Sequence, residues 1–251
     1  MARTSADYLV LDIETVTDMA RWTPPVGQEG AFPPSWAQRV VAVGCMWLDH
    51  RYRLREAVVF VERAGASPDG GERGLLAAWS EQVGAAKPIL VTYNGRRFDL
   101  PVLALRALCH GVPMPWYYRE PSLRRRYSED GHLDLCEALS DHGAARFASL
   151  DALAKLVGLP GKLGIDGSQV GELYARGERR AIASYCLADV AQTALLLLRY
   201  RVLQGRLPLE AYRAAARELI AALAADGRLA DVVAGIDLGQ LLVAAADAQP
   251  A

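Results

Sequence analysis

The chain has 251 residues, of which 52% are hydrophobic and 23% are charged, and its formal net charge is −1. These values are ordinary for a folded protein and leave room for one sizeable α/β domain, or for one domain with a helical appendage. A net charge this close to zero excludes a globally basic protein, so binding to nucleic acid would require a local basic patch.

The cysteines and the hydropathy of the chain indicate an intracellular protein. The four cysteines lie far apart in apolar surroundings and form no Cys-x-x-Cys pair, which argues against a zinc motif and predicts reduced core thiols. The N-terminus has no basic segment followed by a long apolar one, so we expect no signal peptide. The apolar run Ala194–Leu198 is too short to cross a bilayer. We therefore expect a cytoplasmic protein without membrane contact.

The first third of the chain is predicted to form three strands. Tyr8–Thr15 begins as an apolar run, the pattern of a strand buried on both faces. Val16–Ala37 contains four prolines and reads as a long loop, a type of segment that is often functional. Val40–Leu48 and Tyr52–Val61 are strand-like runs that the turn residues between them join into a hairpin.

The rest of the chain alternates between helix and strand and then becomes helical. Ile89–Tyr93 is predicted to be a further buried strand. Periodicity and capping residues predict helices at about Glu72–Val83, Leu100–His110, Ser149–Val157, Ser168–Ala175 and Arg179–Arg201. The Ala- and Leu-rich pattern from Leu207 onward predicts further helices. This order indicates an α/β fold, a mixed β-sheet flanked by α-helices, with a main domain at 1–205 and a C-terminal helical extension at 206–251.

Two carboxylates end the first strand. Asp12 and Glu14 are alternate residues, so their side chains face the same way. Two like charges beside a core repel each other, and a shared divalent cation would remove that cost because hard cations take oxygen ligands. The alternative is that both residues are ordinary loop acids.

Two other sites could complete such a cluster. Asp99 lies between a strand and a helix, where open α/β sheets present ligand sites, although it could instead be the N-cap of the helix. Tyr185 and Asp189 stand four residues apart on the long helix and therefore share one face. The alternative for this pair is an exposed acid beside a core aromatic.

Together the three sites resemble the three motifs of the DEDD 3′–5′ exonucleases. The segments are Leu-Asp-Ile-Glu-Thr, Asn-Gly-Arg-Arg-Phe-Asp and Tyr-Cys-Leu-Ala-Asp, and the tyrosine four residues before the last acid matches the DEDDy branch. The first two are most similar to the proofreading domain of family-B DNA polymerases. The resemblance extends from Tyr8 to Tyr200 and leaves Leu207–Ala251 uncovered, and the loop Val16–Ala37 does not align. It implies an RNase H-like fold and a stand-alone exonuclease.

The resemblance also implies the reaction and the residues that perform it. The enzyme would remove nucleoside 5′-monophosphates from the 3′ ends of single-stranded nucleic acid, with DNA favoured, by two-metal-ion hydrolysis. Two Mg2+ or Mn2+ ions would be held by Asp12, Glu14, Asp99 and Asp189. Tyr185 would orient the attacking water, and the positions that match the neighbourhood of the terminal nucleotide are Thr15, Asn94 and Phe98. The alternative for Phe98 is a core residue.

Other substrate contacts and other functions remain open from the sequence. Arg96 and Arg97 are placed to contact phosphate, and Trp116–Tyr118 with Arg124–Arg126 could form a path for a single strand. The alternative is a solvated basic loop whose aromatic residues pack inward. The competing functions are a nucleic-acid-binding scaffold on a degenerate nuclease fold and an RNase H-like endonuclease.

Overall fold

A mixed β-sheet forms the centre of the computed structural model, which describes residues 7–28, 30–62, 71–164 and 167–243, apart from the side chain of Ser168. Within these residues the sheet has five strands in the order β3-β2-β1-β4-β5. The strands are β1 (Tyr8–Thr17), β2 (Gln38–Leu48), β3 (Leu54–Val61), β4 (Ile89–Thr92) and β5 (His132–Asp134).

The central strand is β1, which pairs antiparallel with β2 and parallel with β4. Its residues Leu9, Val10 and Leu11 are at most 1% exposed. Leu9 and Leu11 belong to the hydrophobic core on one face of the sheet, and Val10 belongs to the core on the other face. The continuous apolar run is therefore explained by burial on both sides, as the sequence predicted.

The predicted hairpin joins β2 to β3. Asp49 Oδ1 accepts hydrogen bonds from the backbone N–H groups of Arg51 at 2.8 Å and Arg53 at 3.0 Å. Tyr52 has a φ of 65° and belongs to the turn, so β3 begins two residues later than the sequence pattern indicated. An Asp side chain that replaces strand hydrogen bonds in this way is a standard turn-forming device.

Helices cover both faces of the sheet. Their bounds are α1 (Glu72–Ala86), α2 (Asp99–His110), α3 (Pro115–Arg119), α4 (Pro121–Arg124), α5 (Leu135–Leu139), α6 (Leu150–Leu156), α7 (Val170–Ala175), α8 (Arg179–Leu203), α9 (Leu209–Ala224), α10 (Ala230–Ala234) and α11 (Leu238–Leu241). The five predicted helices are present, with ends shifted by up to three residues. Ser149 caps α6 by accepting from the N–H of Ala152 at 3.1 Å.

The long helix α8 is a core element. Among the described residues it is the only helix long and apolar enough to cross a membrane, yet 72% of its most apolar window is buried in the fold. Its residues Leu195, Leu197 and Leu198 are fully buried against the face of the sheet that carries Val10. The apolar composition of α8 is therefore accounted for by packing.

The described part of the C-terminal extension packs on α8. Tyr212, Ala216, Leu219 and Leu223 lie at helical spacing on one face of α9 and have no exposed surface. They join the same core cluster as α8. The Tyr212 hydroxyl donates to the carbonyl of Leu241, which ties α9 to α11. Residues 244–251 of the predicted extension lie outside the described residues.

Candidate active site

The middle of β1 presents the first two acids, because the strand continues to Thr17 and does not end at these acids as the sequence predicted. Asp12 faces Gly44 of β2 and Glu14 faces Ala42, and the register of the two strands shifts just after Glu14. Glu14 is 7% exposed, while Asp12 is half-buried. Because they are alternate residues of one strand, both carboxylates lie on the same side of the sheet. This is the side that α8 covers, since the charge of Asp189 on α8 raises the pKa of both acids.

Asp99 enters the site from the first turn of α2. The residue that precedes the helix is Phe98, and no side chain caps it, so the alternative interpretation of Asp99 as an N-cap is wrong. Asp99 is 3% exposed, and its Oδ1 atom has no hydrogen-bond partner among the residues that the structure describes. A buried carboxylate oxygen without a partner is costly, which points to a ligand that completes the site.

The turn before α2 is held in place by Asp134 at the end of β5. Its carboxylate accepts from the backbone N–H groups of Asn94 and Arg96, each at 2.9 Å, and it also caps α5. Asn94 has a φ of 65°, and its carbonyl accepts from the N–H groups of Arg97 and Phe98. Asp134, which the sequence analysis did not select, therefore positions the loop that delivers Asp99.

Helix α8 supplies the last two residues of the candidate active site. Tyr185 and Asp189 occupy successive turns of the helix, and the Tyr185 hydroxyl and the Asp189 carboxylate are close enough for each to shift the pKa of the other. Tyr185 is 9% exposed and Asp189 is half-buried. The alternative of a solvated acid remote from the strand is not observed, because the Asp189 charge acts on both Asp12 and Glu14.

The pKa shifts show that the four acids converge. Burial raises the pKa of Asp12 well above its usual value, and the charges of Asp99, Glu14 and Asp189 raise it further. The pKa of Glu14 is also raised well above its usual value by burial, and then by Asp189 and Asp99. Carboxylates that are distant in the sequence are thus close enough in the fold to oppose one another's ionisation.

Burial is also the main cause of the pKa shifts of Asp99, Asp189 and Tyr185. Burial raises the pKa of Asp99 to about 7. Burial raises the pKa of Asp189 to about 6, although the hydrogen bond from Tyr185 acts in the opposite direction. The pKa of Tyr185 is raised by burial and by the charge of Asp189, so its hydroxyl stays protonated at neutral pH. Without a cation the cluster holds protons at a pH where exposed carboxyls are ionised.

A thiol that the sequence analysis treated as a core residue also reaches the cluster. Ligand atoms of Asp12, Glu14 and Cys186 all lie within 4.8 Å of one another. Cys186 has no exposed surface, and burial raises the pKa of its thiol well above the usual value. The signal in the sequence was the spacing of three residues between Cys186 and Asp189, which places both on neighbouring positions of one helical face.

Two of the three residues predicted to contact the terminal nucleotide are chain neighbours of the acids, since Thr15 follows Glu14 and Phe98 precedes Asp99. Thr15 Oγ1 donates to Gln38 Oε1 at 2.7 Å. The ring of Phe98 is half-buried, and its centroid lies 6.0 Å from that of Phe32 in the long loop after β1. Phe32 is 75% exposed, and nothing in its local sequence selected it. The fold thus adds an exposed aromatic residue next to Phe98, whose own ring packs against the core on the face of the sheet that carries Leu9 and Leu11.

One of the predicted phosphate contacts, Arg96, has a structural role. The guanidinium of Arg96 donates to the carbonyls of His132 at 2.8 Å, Arg125 at 3.0 Å and Leu123 at 3.2 Å, and only 12% of the side chain is exposed. The prediction that Arg96 contacts phosphate is therefore wrong, because its guanidinium N–H groups are hydrogen-bonded to backbone carbonyls of the protein.

The aromatic stretch is divided between core and surface. Trp116 packs inward and donates from Nε1 to Ser80 Oγ at 3.0 Å, as the inward-packing alternative predicted. Tyr118 is 56% exposed, with the Arg124 guanidinium 5.7 Å from its ring centroid. Only the second pair is placed where a ligand could reach it.

Residues 30–232 match the sequence model of a protein family described as a predicted 3′–5′ exonuclease related to the exonuclease domain of PolB. The chain belongs to this family. The membership identifies the protein as a 3′–5′ exonuclease and confirms the resemblance to polymerase proofreading domains. The match includes Asp99, Tyr185 and Asp189 and begins after Asp12 and Glu14. It continues to residue 232, beyond Tyr200, where the predicted resemblance ended.

One solved structure agrees with this family at the level of the fold. The family B DNA polymerase of Pyrobaculum calidifontis aligns with a TM-score of 0.57 and 18% identity over 86% of this chain and 29% of that chain. The zinc-bound form of the E. coli exonuclease I–ssDNA complex aligns with a TM-score of 0.44 and 17% identity over 81% of this chain and 42% of that chain. The family member spans less than half of either protein. No curated protein sequence matched the chain.

The polymerase alignment and the sheet order confirm the predicted RNase H-like fold. Both predicted layers, the mixed sheet and its flanking helices, are present.

Proposed function

We propose that this exonuclease removes nucleoside 5′-monophosphates one at a time from the 3′ end of single-stranded nucleic acid, with DNA favoured. The proposal is carried by one observation, the convergence of Asp12, Glu14, Asp99 and Asp189 from β1, α2 and α8 into a largely buried cluster beside the hydroxyl of Tyr185.

The cluster fits hard divalent cations. Its carboxylates offer oxygen ligands, which Mg2+ and Mn2+ prefer, and the buried Oδ1 atom of Asp99 has no partner within the described residues. We propose that the four acids hold two such ions. When bound, two cations would stabilise the charge on the scissile phosphate and lower the pKa of a water molecule.

Tyr185 has a role that follows from its protonation. Because burial and the charge of Asp189 keep its hydroxyl protonated, Tyr185 orients the attacking water by hydrogen bonding and does not act as a base. The water oxygen adds to phosphorus as the bond to the 3′ oxygen of the preceding nucleotide breaks. The products are a nucleoside 5′-monophosphate and a strand with a new 3′ hydroxyl.

The terminal nucleotide is proposed to lie against Thr15, Asn94 and Phe98. The exposed ring of Phe32, at 6.0 Å from that of Phe98, supports a stacking site for the terminal base. Stacking on aromatic rings tolerates every base, which suits an enzyme that digests strands of any sequence.

Residues 1–205 are proposed to form the catalytic domain, in a cytoplasmic protein. The extension at 206–251 is proposed to support α8, because α9 packs on the helix that carries Tyr185 and Asp189.

Digestion of labelled oligonucleotides tests the proposed function. A 5′-labelled single strand is incubated with the purified full chain and Mg2+ or Mn2+, and a circular single strand is treated in parallel. We expect a ladder that shortens from the 3′ end, mononucleotide 5′-phosphates as product, no cutting of the circle, and loss of activity with a chelator. Cleavage of the circular strand would indicate an endonuclease. Tight binding of the oligonucleotide without digestion in either metal would indicate a nucleic-acid-binding scaffold. Matched RNA and duplex substrates test the preference for single-stranded DNA.

A further inference from the structure

The thiol of Cys186 is part of the wall of the acid cluster. Its Sγ atom and the carboxylate oxygens of Asp12 and Glu14 lie within 4.8 Å of one another, close enough for one ion to contact all three. The Sγ atom also lies 3.5 Å from the backbone carbonyl of Asp12. Cys186 therefore points toward the acids of β1.

The strand next to β1 has no side chain at the position where the thiol lies. A Cβ atom on Gly44 of β2 would stand 2.8 Å from Cys186 Sγ and 3.0 Å from a methyl carbon of Val190. Any larger residue at Gly44 would push α8 and its thiol away from the carboxylates. The close approach of α8 to β1 at Cys186 thus depends on this glycine.

A separate observation indicates that the cluster lacks a ligand. The Oδ1 atom of Asp99 is buried and has no hydrogen-bond partner in the described part of the chain, and the Asp99 charge acts directly on Asp12. A fourth oxygen ligand is thus available on the same side as the mixed carboxylate and thiol group.

We propose that Asp12, Glu14 and Cys186 form a mixed oxygen and sulfur site that binds a soft divalent cation, Zn2+ or Cd2+. Hard cations are satisfied by oxygen alone, whereas thiolate ligands select softer metals. On binding, the S–H bond breaks, a sulfur–metal bond forms, and the proton leaves to solvent. Because the site shares two carboxylates with the proposed catalytic cluster, occupancy by such a cation excludes Mg2+ or Mn2+.

Cadmium titration of the full chain provides the test, because a cadmium–thiolate bond produces an ultraviolet charge-transfer band. We expect the band to appear at one equivalent of Cd2+, and excess Mg2+ to weaken it. Cys186→Ala should abolish the band and weaken Cd2+ affinity measured by calorimetry at least about 10-fold, since even residues outside the ligand shell contribute that much. Asp12→Asn should weaken the affinity as well.

Two other cysteines are matched controls. Cys109 is exposed and Cys45 is buried, and neither belongs to the cluster. Cys109→Ala and Cys45→Ala should keep the band, and Cys186→Ser, which preserves the size of the side chain, should lose it even if the alanine variant folds poorly. Absence of a band in the natural chain, or a band that persists in Cys186→Ser, would overturn the proposal.

The cadmium titration and the digestion assay test the soft-metal site and the proposed exonuclease function separately. Digestion with Mg2+ but no Cys186-dependent band rejects only the soft-metal site. A Cys186-dependent band without digestion leaves the soft-metal site in place and rejects the nuclease mechanism.

Discussion

The Asp134 carboxylate accepts a hydrogen bond from the backbone N–H of Asn94 at 2.9 Å, and this contact joins the end of β5 to the turn that carries Asp99. Asp134→Ala leaves that N–H group and the N–H of Arg96 without their acceptor. Each unsatisfied buried group costs about 1–3 kcal/mol, so the variant should lose at least that much unfolding free energy. The melting temperature and the digestion rate should both decrease, because the turn that positions Asp99 is no longer held by Asp134.

Asp130→Ala is the control for this prediction. Asp130 lies on the exposed loop before β5, where its carboxylate contacts only Ser128 among the described hydrogen bonds. We expect a near-natural melting temperature and digestion rate. A stable and active Asp134→Ala variant would show that the turn before α2 does not need this carboxylate.

Asp12→Asn should separate activity from stability. Removing one charge relieves repulsion with Asp99, Glu14 and Asp189, so the metal-free variant should melt at or above the temperature of the natural chain. Its digestion rate should fall about 10³-fold, the scale found when a charge-stabilising catalytic group is lost. Calorimetric melting and single-turnover digestion measure the two effects.

Glu81→Gln removes an equal charge from the exposed face of α1 and should change neither property. Addition of Mg2+ or Mn2+ at 100 times its Kd should raise the melting temperature of this control by about 5–10 °C, as for the natural chain, but not that of Asp12→Asn. If Asp12→Asn digests at the natural rate, the assignment of the site is wrong.

The metal-free protein should become less stable as the pH rises through the range in which the cluster ionises. The pKa of Asp99 is raised to about 7 in the fold, whereas an unfolded Asp has a pKa of about 3.9. The folded state therefore binds more protons between these values, and its stability falls as the pH increases from about 4 to about 7. Asp189, with a pKa of about 6, contributes in the same direction over the lower part of the range.

Asp99→Asn isolates this contribution from other titrating groups. The difference in melting temperature between the variant and the natural chain should grow in favour of the variant up to about pH 7 and then level off. Stabilisation of the natural chain by Mg2+ should correspondingly be larger at about pH 8 than at about pH 5. A difference that does not change with pH would mean that Asp99 titrates normally.

Tyr185→Phe removes one hydroxyl from the cluster and leaves the four carboxylates in place. We expect kcat to fall about 10²-fold, the lower end of the range for groups that assist proton transfer, while the metal-induced rise in melting temperature is kept. Tyr200→Phe is the control on the same helix, because the Tyr200 hydroxyl contacts Glu129 and lies outside the cluster. Equal rates for both variants would exclude a role for the Tyr185 hydroxyl in hydrolysis.

Phe32→Ala should affect the terminal base more than the chemistry. Base stacking on an aromatic ring contributes about 1–3 kcal/mol, so KM should rise by roughly 5-fold or more with kcat less affected. The natural chain should digest a strand with an abasic 3′ terminus more slowly than an intact one, and the variant should not distinguish them. Val26→Ala, a change at a fully exposed apolar residue in the same loop, should behave like the natural chain. A variant that still discriminates would place the base elsewhere.

Local patterns in the sequence were sufficient for most of the fold. The apolar run before Asp12 predicted a strand buried on both faces, and the residues after Leu48 predicted a hairpin, because burial and turn formation depend on near neighbours. The three-residue strand β5 was too short to carry a periodic pattern, and Arg96 was misassigned. Its carbonyl partners come from segments about 30 residues away, and such contacts leave no local signal.

The sequence by itself determined which side chains could act: two alternate acids on a strand, one acid before a helix, and a tyrosine and an acid one helical turn apart. Only the tertiary structure decided that these groups meet, that Cys186 lies beside Asp12 and Glu14, that Phe32 contacts Phe98, and that Asp134 holds the turn. The physical reason is that spacing along one element sets the direction of a side chain, whereas the distance between elements depends on packing, here on the close approach of α8 to β1 that Gly44 permits.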